Sequence, residues 1–213
     1  MNESKQYKFL KRITYVLWAI MLLSFVIVAR FISNTADGDL PSFADLENPT
    51  FDEASIIYDT NGESFGKYYI ENREIINYED ISPLVLNSLL ATEDIRFHKH
   101  SGIDLKALFR VAIKTVALGD DSSGGGSTIS QQLAKLLYKR QSFSNLSKVS
   151  RAIALIRTKV KEWITAVRLE RSYTKEEIMT MYFNKVDFLN QGVGIHSASK
   201  VYFSKPPSEL NIQ

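Results

Sequence analysis

Glu93 and Asp94 stand side by side at the end of an apolar segment, and either carboxylate could serve proton transfer. Most Glu-Asp pairs at the ends of helices are solvated surface features, so the pair alone leaves both interpretations open. His98 and His100 follow closely. Histidines two residues apart, with no clear third ligand, are a weak indication of a metal site or a catalytic triad.

A glycine- and serine-rich segment, GDDSSGGGST at 119–128, leads directly into a predicted helix. Free backbone N–H groups and the helix dipole at such a junction favour an anion such as a phosphate. A plain linker is the alternative, and the spacing does not match a nucleotide-binding P-loop. Polar side chains suited to ligand binding occupy the adjoining turns: Ser127, Thr128, Gln131, Gln132 and Lys135.

Basic residues dominate the interval 135–175, where eleven lysines and arginines are opposed only by Glu162 and Glu170. A solvated helix face is one interpretation. Contact with anionic lipid headgroups, or with a lipid-linked diphosphate, is the other. Lys159, Glu162 and Ala166 are spaced to share one helix face. A carboxylate among cations stays ionised, which favours a charge-positioning role for Glu162 over proton donation.

Helices are expected to position most of these residues. Hydrophobic periodicity predicts helices at 81–97, 105–118, 129–140, 146–171 and 175–184. Asp104 is the predicted N-cap of the second of these helices, and Gly119 is expected to end it. Thr128 with Gln131, and Thr174 with Glu177, have the spacing of capping boxes.

A β-hairpin is predicted before the helices. Two apolar runs, Ser55–Tyr58 and Lys67–Ile70, flank the turn sequence Asp-Thr-Asn-Gly at 59–62. Residues 34–54 are polar, acidic and rich in turn formers, which predicts a tether. The predicted fold class is therefore mainly α, with one short hairpin.

The N-terminal region is predicted to be a membrane anchor. Residues 13–29 carry no charge, and the apolar run continues past Arg30 to residue 33. A helix over 13–33 is about 31 Å long, and a bilayer core is roughly 30 Å thick. A cleaved signal peptide is less favoured, because its apolar region is shorter and a small-residue cleavage site should follow.

The charges that flank the apolar run predict its orientation. Basic residues precede it: Lys5, Lys8, Lys11 and Arg12. No lysine or arginine occurs in 31–66, where acidic residues are frequent instead. The basic bias predicts a single-pass protein of the cytoplasmic (inner) membrane, with its N-terminus in the cytoplasm and the rest of the chain outside.

Composition excludes several classes of function. The 213 residues carry 26 basic and 24 acidic side chains, a net charge of +2 that argues against a strongly basic nucleic-acid-binding protein. The absence of cysteine excludes disulfides, thiol nucleophiles and cysteine-ligated zinc. With only three histidines, a histidine-rich metal site is not expected either.

Taken together, residues 55–212 resemble the family 51 peptidoglycan glycosyltransferases, which form the N-terminal part of class A bifunctional penicillin-binding proteins. Residues 93–104 are similar to the family's first motif, EDxxFxxHxGxD, and residues 125–135 to its second, GGSTITQQLAK. Residues 159–170 and 182–203 resemble the third and fourth motifs. Four motifs in the family's order are far more specific than any one of them.

The resemblance implies a lysozyme-like domain that polymerises lipid II into glycan strands, with inversion and release of lipid diphosphate. It implies that Glu93 is the general base and that Glu162 supports the diphosphate end, with a divalent cation (Mg²⁺ or Mn²⁺) or neighbouring cations. No organic cofactor is implied. The residues expected to line the substrate groove are Ser127, Thr128, Gln131, Gln132, Lys135 and Lys159. The residues expected to support the site are Asp94, Phe97, His100, Gly102 and Asn184.

The same resemblance implies an order of domains and a set of partners. The expected order is a cytoplasmic tail at 1–12, a transmembrane anchor at 13–33, a tether and hairpin at 34–75, and a glycosyltransferase domain at 76–213 that is incomplete at its C-terminus. No transpeptidase domain is expected within the chain. The expected partners are lipid II, the growing glycan strand, membrane lipid and other cell-wall synthesis proteins, with no nucleic acid.

Two positions depart from the family pattern. Thr158 stands where the third motif commonly has arginine, with Arg157 as a neighbouring substitute, and Leu136 replaces an asparagine. Two alternative functions also stay open. A membrane-anchored, lysozyme-like glycan hydrolase would also use a glutamate but would not need the cation-rich interval. An inactive, truncated chain would act only as an anchored scaffold.

Overall fold

The computed structural model of the chain describes residues 3–36, 38, 40, 54–69, 71–118, 125–138 and 143–211. The helices in this part of the chain are α1 Glu3–Ala36, α2 Pro83–Glu93, α3 Leu105–Leu118, α4 Ile129–Leu137, α5 Lys148–Ser172, α6 Lys175–Lys185 and α7 Gly194–Phe203. Strands β1 Ser55–Tyr58 and β2 Ser64–Tyr68 form an antiparallel sheet. The fold is therefore mainly α with a two-stranded hairpin, as predicted.

Helix α1 is continuous over 34 residues and so extends beyond the predicted 13–33 at both ends. Its segment Gln6–Ala36 is long and apolar enough to cross a membrane, and it is the one such helix in the described part of the chain. Its C-terminal end meets the rest of the fold at α5. Thr35 is buried there, and the Arg157 guanidinium lies 5.9 Å from the centre of the Phe31 ring.

The predicted hairpin is confirmed, but its second strand begins earlier than expected. An Asp59 carboxylate oxygen accepts hydrogen bonds from the backbone N–H groups of Asn61 and Glu63, at 2.9 and 2.8 Å. This compact turn ends at Glu63, so β2 starts at Ser64 rather than at Lys67. Ile70 and most of the predicted tether, residues 41–53, lie outside the described residues.

Side chains cap the three helix starts at which the sequence predicted a cap. The Asp104 carboxylate accepts from the N–H groups of Lys106 and Ala107 at the start of α3. Thr174 and Glu177 form the predicted capping box of α6. The Thr128 hydroxyl accepts from the N–H of Gln131, but the reciprocal bond is not formed.

The capping box is only half formed because the Gln131 side chain is buried, with 1% of the residue exposed. It therefore does not accept a hydrogen bond from the backbone N–H of Thr128. Only the N-cap half of this prediction is correct. Helix α4 extends to Leu137. Residues 139 and 140 of the predicted helix, and the predicted stop at Gly119, lie outside the described residues.

The apolar periodicity of α3 predicts the helix but not the location of its apolar face. Leu105, Phe109 and Ile113 recur every four residues, yet they are 64%, 68% and 60% exposed. The core is formed elsewhere, where α4 packs against α5 and α6. Its most deeply buried large side chains are Phe97, Ile129, Leu133, Leu169, Ile178 and Met179.

Gly102 allows the loop between α2 and α3 to pass directly over α5. Its φ is +92°, and a Cβ at this position would lie 2.8 Å from the carbonyl carbon and oxygen of Ala166. The Gly102 carbonyl also accepts a 2.7 Å hydrogen bond from the Thr128 hydroxyl. Glycine is therefore required here both by conformation and by space.

Gly102→Ala is expected to lower the free energy of unfolding by about 3 kcal/mol, because it combines a strained backbone with overpacking. Gly66→Ala is the matched control, since a Cβ at Gly66 meets nothing within 4 Å. Thermal unfolding of the detergent-solubilised chain, followed by circular dichroism, measures both. Equal stability of the two variants would contradict this account of Gly102.

Candidate active site

A cleft of about 600 Å³ opens between the end of α2 and the start of α4. Glu93 and Asp94 line one side, and the glycine-rich residues 125–128 line another. The polar side of α3 forms a further wall. The segment predicted to transfer protons and the segment predicted to bind an anion therefore line the same cleft.

Glu93 is exposed to the cleft, and its carboxylate accepts a 2.7 Å hydrogen bond from the side-chain amide of Gln132. The Tyr182 hydroxyl in turn donates to the amide oxygen of Gln132, at 3.1 Å. Burial, together with the negative charge of Glu93, raises the pKa of Tyr182 to about 12. The phenol therefore stays protonated at any pH at which the protein would work.

Asp94 points into the protein, although it directly follows Glu93. One of its carboxylate oxygens accepts from the backbone N–H of Ile129, the first residue of α4, at 3.0 Å. The Nε2 atom of His100 lies 3.0 Å from the same oxygen. Asp94 thus joins the end of α2, the following loop and the start of α4. His98 is exposed and stands outside this network.

A second, partly buried network supports the same loop. The Lys175 ammonium donates to the carbonyl of His100 at 2.8 Å and lies 4.2 Å from the centre of the Phe97 ring. It also pairs with the Glu170 carboxylate at 2.7 Å. The Ser130 hydroxyl donates to Glu170 from α4. These contacts fix the position of Phe97, which is fully buried.

Lys159 connects the third motif to the rim of the cleft. Its ammonium donates to the Ser127 hydroxyl at 3.0 Å and to the Glu162 carboxylate at 2.7 Å. Glu162 is 5% exposed, whereas the Lys159 side chain is 40% exposed. Lys159 thus reaches the cleft through Ser127, which lines it, and the buried Glu162 carboxylate holds the ammonium there.

The described residues do not fit a resident metal ion. They contain no group of three or more His, Asp or Glu side chains arranged to ligate one. The Glu162 carboxylate is paired with Lys159, which disfavours a second cation on that oxygen. Lys159 is the positive charge that the structure places beside Glu162.

Three basic side chains of α3 were not among the site residues predicted from the sequence. Lys106, Arg110 and Lys114 line the cleft, and Arg110 donates to the carbonyl of Gly125 at 3.3 Å. Their spacing of four residues, directly beside the apolar stripe of the same helix, was the available signal. They add positive charge to the cleft that Glu93 also lines, and Lys159 adds a further cation beside Ser127 at its rim.

Several predicted site residues lie away from the cleft surface. Lys135 is exposed and pairs with no other described residue, and the buried amide of Gln131 has no hydrogen-bond partner among them. The Asn184 side chain bonds both the N–H and the carbonyl of Ile76, so it holds the segment after the hairpin against α6. Arg157, the suggested substitute for the missing motif arginine, instead lies over Phe31 of α1.

Comparison with known proteins identifies the family to which this chain belongs. Residues 61–213 match the transglycosylase family. The chain therefore belongs to this family of glycosyltransferase-type enzymes, whose domain is lysozyme-like. The match confirms the resemblance that the four sequence motifs indicated.

The relatives of this chain are penicillin-binding proteins. It is 36% identical to penicillin-binding protein 1F of Bacillus subtilis over 75% of this chain and 21% of that protein. Identity to penicillin-binding protein 1A of Aquifex aeolicus is 36%, over 82% of this chain and 22% of that protein. Identity to penicillin-binding protein 1A of Escherichia coli is 33%, over 81% of this chain and 19% of that protein. The chain thus spans about a fifth of the length of these relatives.

Asp104, in the wall of the cleft, should make stability depend on pH. Burial acts to raise the pKa of Asp104, but the N–H of Ala107, the Arg96 guanidinium and the N–H of Lys106 outweigh it and lower the pKa overall. A lowered pKa in the folded state adds stability above the unfolded pKa, and this contribution is lost as the pH falls through the folded value.

Asp104→Asn is therefore expected to lower the free energy of unfolding at pH 7 by about 1 kcal/mol. The difference from the unsubstituted chain should shrink below about pH 4, where protonation removes the same charge from Asp104. Urea unfolding at pH 7 and at pH 3 measures both differences. An equal difference at the two pH values would contradict the ion-pair account.

Proposed function

We propose that this domain is a peptidoglycan glycosyltransferase that polymerises lipid II into glycan strands and releases lipid diphosphate. The observation that carries the proposal is the shared cleft, which is lined by the exposed Glu93, by the glycine-rich residues 125–128 and by three cations of α3. Sugar transfer from a lipid diphosphate needs both a base for the acceptor and positive charge for the leaving group. Membership of the transglycosylase family supports the same reaction.

In the proposed reaction, Glu93 removes the proton from the 4-hydroxyl group of one sugar. The freed oxygen attacks the anomeric carbon of a second sugar from the face opposite its diphosphate. The bond from that carbon to the phosphate oxygen breaks, and its electron pair leaves with the lipid diphosphate. Attack from the opposite face inverts the configuration at the anomeric carbon. Glu93 then returns its proton to the solvent.

The leaving diphosphate gains negative charge as the bond breaks, and cations placed beforehand stabilise it. Lys159 is the best placed of these, because Glu162 and Ser127 hold its ammonium at the rim of the cleft. Lys106, Arg110 and Lys114 add positive charge from the α3 wall of the cleft. Glu162 acts on Lys159 in this scheme and does not transfer a proton.

The proposal extends to the location of the reaction. An apolar α1 that spans the cytoplasmic membrane, with its basic N-terminal end in the cytoplasm, would hold the cleft on the outer face. A lipid-linked substrate lies in the same membrane. The partners of the domain would then be lipid II, the growing glycan strand and the surrounding lipid.

Glu93→Gln should reduce polymerisation by about 10²–10⁴-fold, because an amide cannot accept the proton. Turnover of fluorescent lipid II by the detergent-solubilised chain measures the loss. Glu63→Gln, at the exposed hairpin turn, is the matched control and should retain full activity. Near-normal turnover by a folded Glu93→Gln chain would refute the assignment of Glu93 as the base.

Lys159→Met should lower kcat/KM for lipid II by about 10²-fold, as expected for loss of one preorganised charge on a transition state. It should also weaken the inhibition of turnover by added salt, because one of the screened cations is gone. Lys200→Met, on the exposed side of α7, provides the control. An unchanged kcat/KM for Lys159→Met would exclude this residue from the diphosphate end.

A further inference from the structure

The three side chains that run from α6 to the cleft form a directional relay. Tyr182 donates to the amide oxygen of Gln132, and the amide nitrogen of Gln132 donates to Glu93. These bonds join residues 50 and 39 positions apart in the chain. The Tyr182 ring is packed in the core, edge-on to Phe183 with 6.0 Å between ring centres, so its hydroxyl has a fixed position.

The direction of this relay depends on the Gln132 amide, which presents an acceptor at one end and donors at the other. A buried phenol that remains protonated is best satisfied as a donor, and it therefore turns the amide oxygen toward itself. The amide nitrogen must then face Glu93. Rotation of the amide by half a turn would set its oxygen against the carboxylate, which is tolerated only when the carboxylate is protonated.

We propose that Tyr182 is a positioning residue that acts through Gln132 to keep an N–H donor directed at the Glu93 carboxylate. The inference rests on the proposed function, in which Glu93 is the base. Gln132 is the hydrogen-bond donor that the described part of the chain supplies to Glu93. Loss of the Tyr182 hydroxyl frees the amide to rotate, so that its oxygen can oppose the Glu93 carboxylate.

Other charged groups near Glu93 are fixed by separate contacts. Asp94 is bonded to Ile129 and His100, and Arg96 is paired with Asp104. The remaining charges that line the cleft are the cations Lys106, Arg110 and Lys114 of α3. Replacement of the Tyr182 hydroxyl leaves all of these in place, so any shift in pH dependence reports on the relay.

The test is the pH profile of kcat/KM for lipid II in Tyr182→Phe, which keeps the aromatic ring. The acidic limb of the profile should move to higher pH by about one unit, the size expected for a lost bond to a charged group. Activity at the alkaline plateau should stay within about threefold of that of the unsubstituted chain. A merely structural defect would lower the whole profile and leave the limb where it was.

Tyr69→Phe is the matched control, because it removes another 3.1 Å bond from a tyrosine hydroxyl to a glutamine side-chain oxygen, that of Gln191, on the exposed hairpin side. Its profile should not move. Gln132→Leu should shift the acidic limb as Tyr182→Phe does, and the double variant should shift it no further. Two additive shifts would overturn the relay.

The outcomes separate this inference from the proposed function. If Glu93→Gln is inactive but the acidic limb does not move in either Tyr182→Phe or Gln132→Leu, the relay is refuted. The role of Glu93 as the base then stands. An active Glu93→Gln would refute the role of Glu93 as the base, and the relay with it. If Tyr182→Phe unfolds, the pH profile of Gln132→Leu still tests the relay. An unmoved acidic limb in Gln132→Leu would refute it, because Tyr182 acts on Glu93 through Gln132.

Discussion

The hydrogen bond from the backbone of Ile129 to the buried carboxylate of Asp94 is the contact on which the rest of the site depends. A buried carboxylate is costly unless it is paired and hydrogen-bonded, and Asp94 is bonded to both Ile129 and His100. The end of α2 is thereby held against the start of α4. Because Glu93 precedes Asp94, this one bond also sets the distance between the proposed base and the glycine-rich rim.

The second network makes that arrangement rigid. Lys175 and Glu170 lie on either side of the junction between α5 and α6, and they reach the carbonyl of His100 and the hydroxyl of Ser130. The loop after Asp94 is thus held by a partly buried ion pair as well as by packing of Phe97. A preorganised site requires such support, since catalytic groups act through their fixed positions.

Much of the scaffold could be predicted from the sequence. Helix periodicity and the caps at Asp104 and Thr174 follow from local interactions, which a pattern of residues records directly. The family motifs also identified Glu93, Asp94 and Lys159 as candidate site residues from the sequence alone. The apolar stripe of α3 shows the limit of this reasoning, because periodicity identifies an apolar face but not what covers it.

Contacts between distant segments could not be predicted in the same way. The hydrogen bonds that connect Tyr182 to Glu93 pass through Gln132, and no spacing in the chain indicates a bond between residues 50 positions apart. The failed reciprocal cap of Gln131 has the same origin, because burial against the core determined where that side chain points. Tertiary packing overrides a local pattern wherever the two compete.

The most direct measurement is the size of the product that this 213-residue chain forms from fluorescent lipid II in detergent. The account predicts glycan strands longer than the starting disaccharide, with one lipid diphosphate released for each bond formed, and digestion of those strands by a muramidase. Intact lipid II after prolonged incubation would contradict it. Shortening of preformed strands without consumption of lipid II would also contradict it, and would identify a hydrolase instead.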